Sequence, residues 1–205
     1  MVRLAIIESL SDSMASPKYT LTQQAIEEEW LLIQAAQQTP ARFGALYNRY
    51  YEQIFRFIYQ RIGDEELTAD LCAQTFLKAM QNLSRYSYKG VPFSAWLYRI
   101  ASNEIAQFYR QNQKNRVITL EDNYVNNLKE ELDDKEELEI NIGILEKVIK
   151  ELKPDEVQMV ELRFFEKRPF KEIGDILDMT ENNAKVKVYR ILQKMKKLFD
   201  DLSTE

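Results

Sequence analysis

Apolar residues recur at steps of three and four along most of the chain after position 21, the spacing of one buried face of an α-helix. The first such stretch runs from Ile26 to Gln37, and the second ends near Ile62. Thr39 and Pro40 separate them, since Thr suits a helix N-cap and Pro suits the first helical position. The pattern therefore predicts one helix on each side of this pair.

Turn residues divide the following stretch in the same way. Gly63 is suited to end the second helix, and Asp64 can cap a third helix that follows it. The third helix ends before residues 86–92, where the periodicity is lost in a sequence containing Gly and Pro. A fourth helix is predicted to begin near Phe93. Residues 21–114 thus favour a small helical domain.

Composition changes beyond this domain. Residues 121–139 are rich in Asp and Glu with only Lys129 and Lys135 opposing, and such a block repels itself and resists packing into a core. Helical periodicity returns over 140–202, with helices predicted at 140–152, 154–165, 170–177 and 181–199. We expect an all-α chain of two small helical domains, at 21–114 and 140–202, with a flexible tail at 1–20 and an acidic linker at 115–139.

Several function classes are excluded or weakened by what the chain lacks. It has one Cys and no His, which rules out a disulfide framework and histidine acid–base catalysis and leaves almost no basis for a Cys/His zinc site. Its five glycines form no phosphate-binding loop. No apolar run is long enough to cross a bilayer, and the N-terminus makes a poor signal peptide. We expect a cytoplasmic protein that is not an enzyme and holds no cofactor or metal, without membrane insertion.

The last helix indicates DNA binding. Its apolar residues form one stripe, namely Ala184, Val188, Ile191, Met195 and Leu198. Its other face is basic, and a short helix and a turn precede it, which is the layout of a helix-turn-helix. An ordinary surface helix with solvated lysines is the alternative. Because the net charge is −5, any DNA binding must come from local patches, helped by a partner.

Aromatic and basic residues are also concentrated at 85–116. Such a surface suits melted DNA, because basic groups hold phosphates and aromatic faces stack unpaired bases. Loop residues Tyr86, Tyr88 and Lys89 are the better contact candidates. Helical spacing favours a core role for another set, namely Phe93, Trp96, Leu97 and Ile100. Asn103 suits a base contact and a local cap equally.

These segments together resemble the extracytoplasmic-function group of sigma factors, from about residue 26 to residue 198 apart from the linker. Residues 43–50 and 69–77 resemble the opening and polymerase-clamp segments of sigma region 2. Residues 93–103 (FSAWLYRIASN) resemble its promoter-melting segment, which is the most specific match, and Arg110 falls on the following basic position. Residues 152–154, 162–163, 171–173 and 185–190 resemble region 4.

The resemblance implies a sigma factor that binds RNA polymerase core and directs promoter recognition, melting and initiation. Its partners would be core enzyme, promoter DNA and an anti-sigma factor. The resemblance assigns core binding to Asp70 and Gln74. It assigns the minus-ten element to Tyr88, Lys89, Asn103 and Arg110. It assigns the minus-thirty-five element to Asn183, Lys185, Lys187, Tyr189 and Arg190.

The sequence departs from the family pattern at several of these places. Ala73 and Gln74 stand where the family usually has Gln and an acid, which swaps the polar groups that would face polymerase. Asn182, Asn183 and Val186 replace a frequent Gly-Thr and Ser, which affects which promoter is recognised. A stand-alone helix-turn-helix regulator and a regulator-binding decoy therefore stay open as alternatives. The acidic linker is either a nucleic-acid mimic in a polymerase channel or a solvated spacer.

Overall fold

The protein, seen in a computed structural model, is described over residues 23–112 and 143–203 except position 146. The tail and linker predictions lie outside these residues. Within them the secondary structure is helical, with no strand. The described residues divide into two compact units: 23–112 with 175–179 belong to the first, and the remaining described residues of 143–203 belong to the second. The all-α fold class is thereby confirmed, and no described helix has the length and apolarity needed to span a bilayer.

The N-terminal unit contains four long helices. They are α1 (Gln23–Gln38), α2 (Phe43–Ile62), α3 (Glu65–Asn82) and α4 (Phe93–Asn112), with 3-10 turns at Pro40–Arg42 and Leu83–Arg85. Helices α2, α3 and α4 pack against one another, and α1 packs on α2. The apolar stripe of α2 supplies much of the core, through Phe43, Leu46, Tyr50, Ile54, Phe57 and Ile58.

The predicted helix boundaries of this unit agree with the structure. Gly63 adopts a left-handed φ of 69° after α2, and its N–H donates to the Tyr59 carbonyl at 2.8 Å. Asp64 caps α3 by accepting from the Leu67 N–H at 2.9 Å. Thr39 stands at the N-cap position of the 3-10 turn that Pro40 opens between α1 and α2, but its side chain makes no capping hydrogen bond.

The C-terminal unit has helical residues at 143–145 and 147–150, followed by α5 (Pro154–Val160), α6 (Phe170–Ile176) and α7 (Glu181–Leu202). Helix α7 packs against α5. The helix predicted over 154–165 changes at Glu161 into a π-helical turn that ends at Phe165. There the Glu166 N–H donates to the Glu161 carbonyl, a five-residue step.

The buried stripe of α7 differs slightly from its prediction. Ala184, Val188, Ile191 and Met195 are buried as expected, but Leu198 is only half-buried. Leu192 and Phe199 are buried with them. The stripe follows the straight 3.6-residue period instead of alternating steps of four and three, which moves the last contact from position 198 to 199.

Candidate nucleic-acid interface

An open cavity of 340 Å³ lies in the N-terminal unit, between the end of α3 and the first turns of α4. Aromatic, amide and charged side chains line it: Lys78, Asn82, Arg85, Tyr86, Trp96, Ile100, Asn103 and Glu104. The rings of Tyr86 and Trp96 have centroids 4.9 Å apart and form its aromatic wall. Aromatic faces beside amide and charged groups are what a nucleobase needs for stacking and edge hydrogen bonds. The cavity is therefore chemically suited to one unpaired base.

The charged part of the wall is an ion pair between α3 and α4. The Lys78 ammonium donates to both carboxylate oxygens of Glu104, at 2.6 and 2.7 Å. Glu104 is buried, whereas the Lys78 side chain is nearly half exposed. The pair thus compensates the buried carboxylate, which would otherwise repel a phosphate, and leaves Lys78 accessible to one.

Tyr86 is fixed in the wall by packing on both sides. Its ring lies 5.1 Å from that of Phe93, edge on, in addition to its contact with Trp96. Burial raises the pKa of Tyr86, and the nearby Glu29 carboxylate raises it further. The phenol is therefore neutral at physiological pH and adds no negative charge to a DNA-binding cavity.

Of the four residues predicted to bind the minus-ten element, only Asn103 lines the cavity. Asn103 is exposed and lines the cavity. Tyr88 and Lys89 are exposed on the loop after Tyr86 but do not line it. Arg110 is exposed on α4, seven residues after Asn103, which places it on the same helix face about 10 Å further along the axis.

Two residues expected in the core belong to the cavity instead. Phe93 and Leu97 are fully buried as predicted, but Trp96 and Ile100 are half-buried and line the wall. Together with Asn103 they follow a four–three spacing, which is one face of α4. This spacing, which places an aromatic residue and an amide on one helix face, is the feature of the sequence that indicates the cavity wall.

Helix α3 presents a second surface. Asp70 and Gln74 are exposed on it, and Leu77, three residues further, is 50% exposed. These three share one face, opposite the buried residues of α3. Met80, 41% exposed, lies beside them. An exposed apolar centre with a polar surround is typical of a protein-binding surface. Leu77 lies within the segment 69–77 that resembles the polymerase-clamp segment, whereas Met80 lies outside it.

The turn before α7 has the local geometry of a helix-turn-helix. Asp178 adopts a left-handed φ of 56°, a conformation that Asp tolerates better than most residues. The Thr180 hydroxyl accepts from the Asn183 N–H at 3.2 Å and so caps α7.

All five predicted minus-thirty-five residues are exposed on α7: Asn183, Lys185, Lys187, Tyr189 and Arg190. At about 100° per residue, the centre of the exposed arc is Val186, with Arg190 and Tyr189 on either side of it. Val186 and Tyr189 are 39% and 44% exposed. Lys185 and Lys187 lie on opposite borders of the arc, about 160° apart. This arrangement places lysines at both edges of a face whose central part carries Val186, Arg190, Tyr189 and Asn183.

Lys194, on the basic side of α7, takes part in packing instead. Its ammonium donates to the Glu156 carboxylate of α5 at 2.7 Å and lies 3.4 Å from the Glu151 carbonyl. It therefore ties α7 to α5 and is engaged within the unit.

Both halves of the chain match known families. Residues 46–115 match sigma-70 region 2, and residues 142–195 match sigma-70 region 4. The chain is 28% identical to the ECF RNA polymerase sigma factor BldN of Streptomyces coelicolor over 172 residues, which cover 83% of this chain and 65% of that protein. It is 24% identical to the ECF RNA polymerase sigma factor SigM of Bacillus subtilis over 156 residues, covering 76% and 93%.

The fold has a counterpart among solved structures. CnrH, in complex with the cytosolic domain of CnrY, aligns with a TM-score of 0.55 at 19% identity, covering 84% of this chain and 97% of that one. That similarity concerns the fold alone. With regions 2 and 4 both matched in one chain, and curated ECF relatives across most of its length, the protein belongs to the sigma-70 family of sigma factors, in the ECF group.

Proposed function

We propose that the protein is a non-enzymatic initiation factor that binds RNA polymerase core, recognises promoters and helps to melt them. The observation that carries this proposal is the cavity of the N-terminal unit, which combines the aromatic pair Tyr86 and Trp96 with the amide of Asn103. A duplex-binding regulator has no need for a cavity that accepts a single unpaired base. Family membership supports the same function.

In this proposal the unpaired base of the minus-ten element stacks in the cavity, and Asn103 bonds its edge. Tyr88, Lys89 and Arg110 contact the neighbouring backbone or bases from the loop and from α4. Stacking of about 1–3 kcal/mol per base offsets an unpairing cost of a few kcal/mol. The melted strand is thereby captured without any covalent chemistry or cofactor.

The C-terminal unit would bind the minus-thirty-five duplex. A helix-turn-helix inserts its second helix into the major groove, so the centre of the exposed arc faces the base edges. Arg190 would contact a guanine, and Tyr189 and Asn183 would contact neighbouring base edges. Lys185 and Lys187, on the two borders of the arc, would hold phosphates on the two groove walls.

Core enzyme would dock on the exposed face of α3, through Asp70 and Gln74 around Leu77.

We also propose an anti-sigma partner, in keeping with CnrH, whose structure is a complex with the cytosolic domain of CnrY. The chain would act in the cytoplasm, where core polymerase meets the chromosome. We propose the domain limits 21–114 and 140–202, with 1–20 as a tail and 115–139 as a linker.

Reconstitution with core polymerase on genomic DNA, followed by mapping of transcript start sites, tests the function. The wild-type chain should produce defined starts that core alone does not. Asn103→Ala should lower open-complex formation about 3- to 10-fold by loss of one or two hydrogen bonds, with core affinity unchanged. Asn48→Ala is the matched control, because Asn48 is an exposed asparagine on α2 outside the cavity. Absence of any chain-dependent start would contradict the proposal.

A further inference from the structure

Helix α1 holds the beginning of the loop that borders the cavity. The Gln37 side-chain amide donates to two carbonyls at once, that of Leu83 at 2.9 Å and that of Tyr86 at 3.0 Å. One belongs to the 3-10 turn and the other to the first loop residue. Both hydrogens of a single NH₂ group are thus used to fix the backbone from which the Tyr86 ring projects.

The same helix holds the other end of the loop. Glu29 is buried on α1, and its carboxylate accepts from the Phe93 N–H at 3.0 Å, at the first residue of α4. Its second oxygen accepts from the Tyr50 hydroxyl of α2. A carboxylate at a helix N-terminus satisfies an otherwise unpaired N–H and is favoured by the helix dipole. Glu29 therefore fixes the position at which α4 begins. Because Trp96 and Asn103 lie on α4, their positions are fixed as well.

Between these two points α1 also contacts the middle of the loop. The Trp30 ring lies 6.4 Å from that of Tyr88, centroid to centroid. Yet no residue of α1 lines the cavity, and the sigma-70 region 2 match begins only at residue 46, after α1 has ended. Helix α1 thus bonds to both ends of the cavity wall without contributing a surface to it.

We propose that α1 is a positioning element for the base cavity, with Gln37 and Glu29 as its positioning residues. Each holds one side of the aromatic wall, Tyr86 through Gln37 and Trp96 through Glu29, and so fixes the surface against which a base must stack. A wall fixed in advance loses less conformational entropy when a base enters, which strengthens capture. This inference rests on the base capture of the proposed function.

The test uses holoenzyme assembled from core polymerase and the full chain. The probes are single-stranded oligonucleotides of a mapped promoter's non-template strand, each with one abasic nucleotide, scanned across the minus-ten element. The position where the abasic nucleotide most weakens wild-type binding marks the captured base. Gln37→Ala should weaken binding of the intact strand about fivefold, as expected for two lost hydrogen bonds, and should have no further effect on the strand abasic at that position.

Gln34→Ala, an exposed glutamine on the same helix, is the matched control and should bind both strands as wild type does. Glu29→Gln, which keeps the shape but removes the charge, should give the same base-dependent loss with a smaller amplitude. Core affinity and thermal midpoint are measured for every variant. If the Gln37 and Glu29 variants bind intact and abasic strands equally less well, or bind both as wild type does, the positioning role of α1 is wrong, but base capture by the cavity still stands. If no abasic position weakens the wild-type holoenzyme, base capture itself is wrong, and the role of α1 falls with it.

Discussion

The carboxylate of Glu156 holds α5 and α7 together within the C-terminal unit. It accepts from the Lys153 N–H at 2.8 Å, which caps α5, and from the Lys194 ammonium of α7 at 2.7 Å. Desolvation by burial favours the protonated acid, but these two hydrogen bonds and the lysine charges outweigh it and lower the pKa of Glu156 below its usual 4.5. The ionised form is therefore the one that the folded state favours.

Glu156→Gln should consequently destabilise the C-terminal unit in a pH-dependent way. Because the folded pKa is lowered, the stabilisation is fully present above about pH 4.5 and is lost as the pH falls through the folded value. A partly exposed pair of this kind contributes about 0.5–1 kcal/mol at neutral pH. Urea unfolding followed by circular dichroism should show this difference near pH 7 and a progressively smaller one as the pH falls below about 4.5. A difference that does not shrink as the pH falls would contradict the assignment to charge.

Two glycines, one in the first turn of α2 and one directly after its last residue, should respond to alanine in opposite directions. Gly44 lies in the first turn, and an added Cβ would meet no atom within 4 Å, so Gly44→Ala should stabilise by about 0.5–1 kcal/mol. Gly63 has a φ of 69°, where a Cβ costs about 1 kcal/mol, so Gly63→Ala should destabilise. Both tryptophans, Trp30 and Trp96, lie in this unit, so tryptophan fluorescence during unfolding measures it directly. Shifts of the same sign in both variants would contradict the argument.

At the scale of elements, the helix limits were predictable because they depend on local chemistry. Gly63 and Asp64 each act on backbone within a few residues, and the structure has them as expected. The cavity wall was predictable only in part, since helical spacing tells which residues share a face but not whether that face is covered. Trp96 was wrongly expected in the core for this reason. The partners of Glu29 lie 21 and 64 residues away, and no spacing rule finds them.

Different residues of α7 should serve different roles, some in sequence recognition and others in phosphate binding. Arg190→Ala in holoenzyme should cost about 1–3 kcal/mol of discrimination at one base pair of the minus-thirty-five element. Lys187→Ala, at the border of the exposed arc, should weaken all promoters alike and reduce the slope of log affinity against log salt by about 0.9. Competition binding across a promoter library at several salt concentrations measures both effects.

Lys196 provides the control for that experiment. It is also an exposed lysine of α7, but it lies nine residues beyond Lys187, towards the C-terminal end of the helix. Because the first turns of a recognition helix make the base contacts, Lys196→Ala should change discrimination and salt slope less than either variant. Equal effects from Lys187 and Lys196 would indicate that α7 does not enter the groove through its N-terminal part.

For the molecule as a whole, charge explains why the two units need a third participant. The net charge is −5, although α7 and the surroundings of the cavity are locally basic. DNA binding that depends on counterion release is weak for such a chain, so phosphate contacts made by polymerase must supply much of the affinity. The surface that joins the chain to polymerase therefore controls both DNA-binding units at once.

Leu77 is the centre of that surface in our proposal. Leu77→Asp places a charge in the middle of an exposed apolar patch on α3, which should weaken core binding at least tenfold, as for a central interface residue. Leu31→Asp is the matched control, because Leu31 is an exposed leucine of α1 on another surface, and it should bind core normally. Since Leu77 is half exposed, the thermal midpoint should be unchanged. Fluorescence titration of labelled chain with core measures the affinity, and equal binding by both variants would remove α3 from the docking surface.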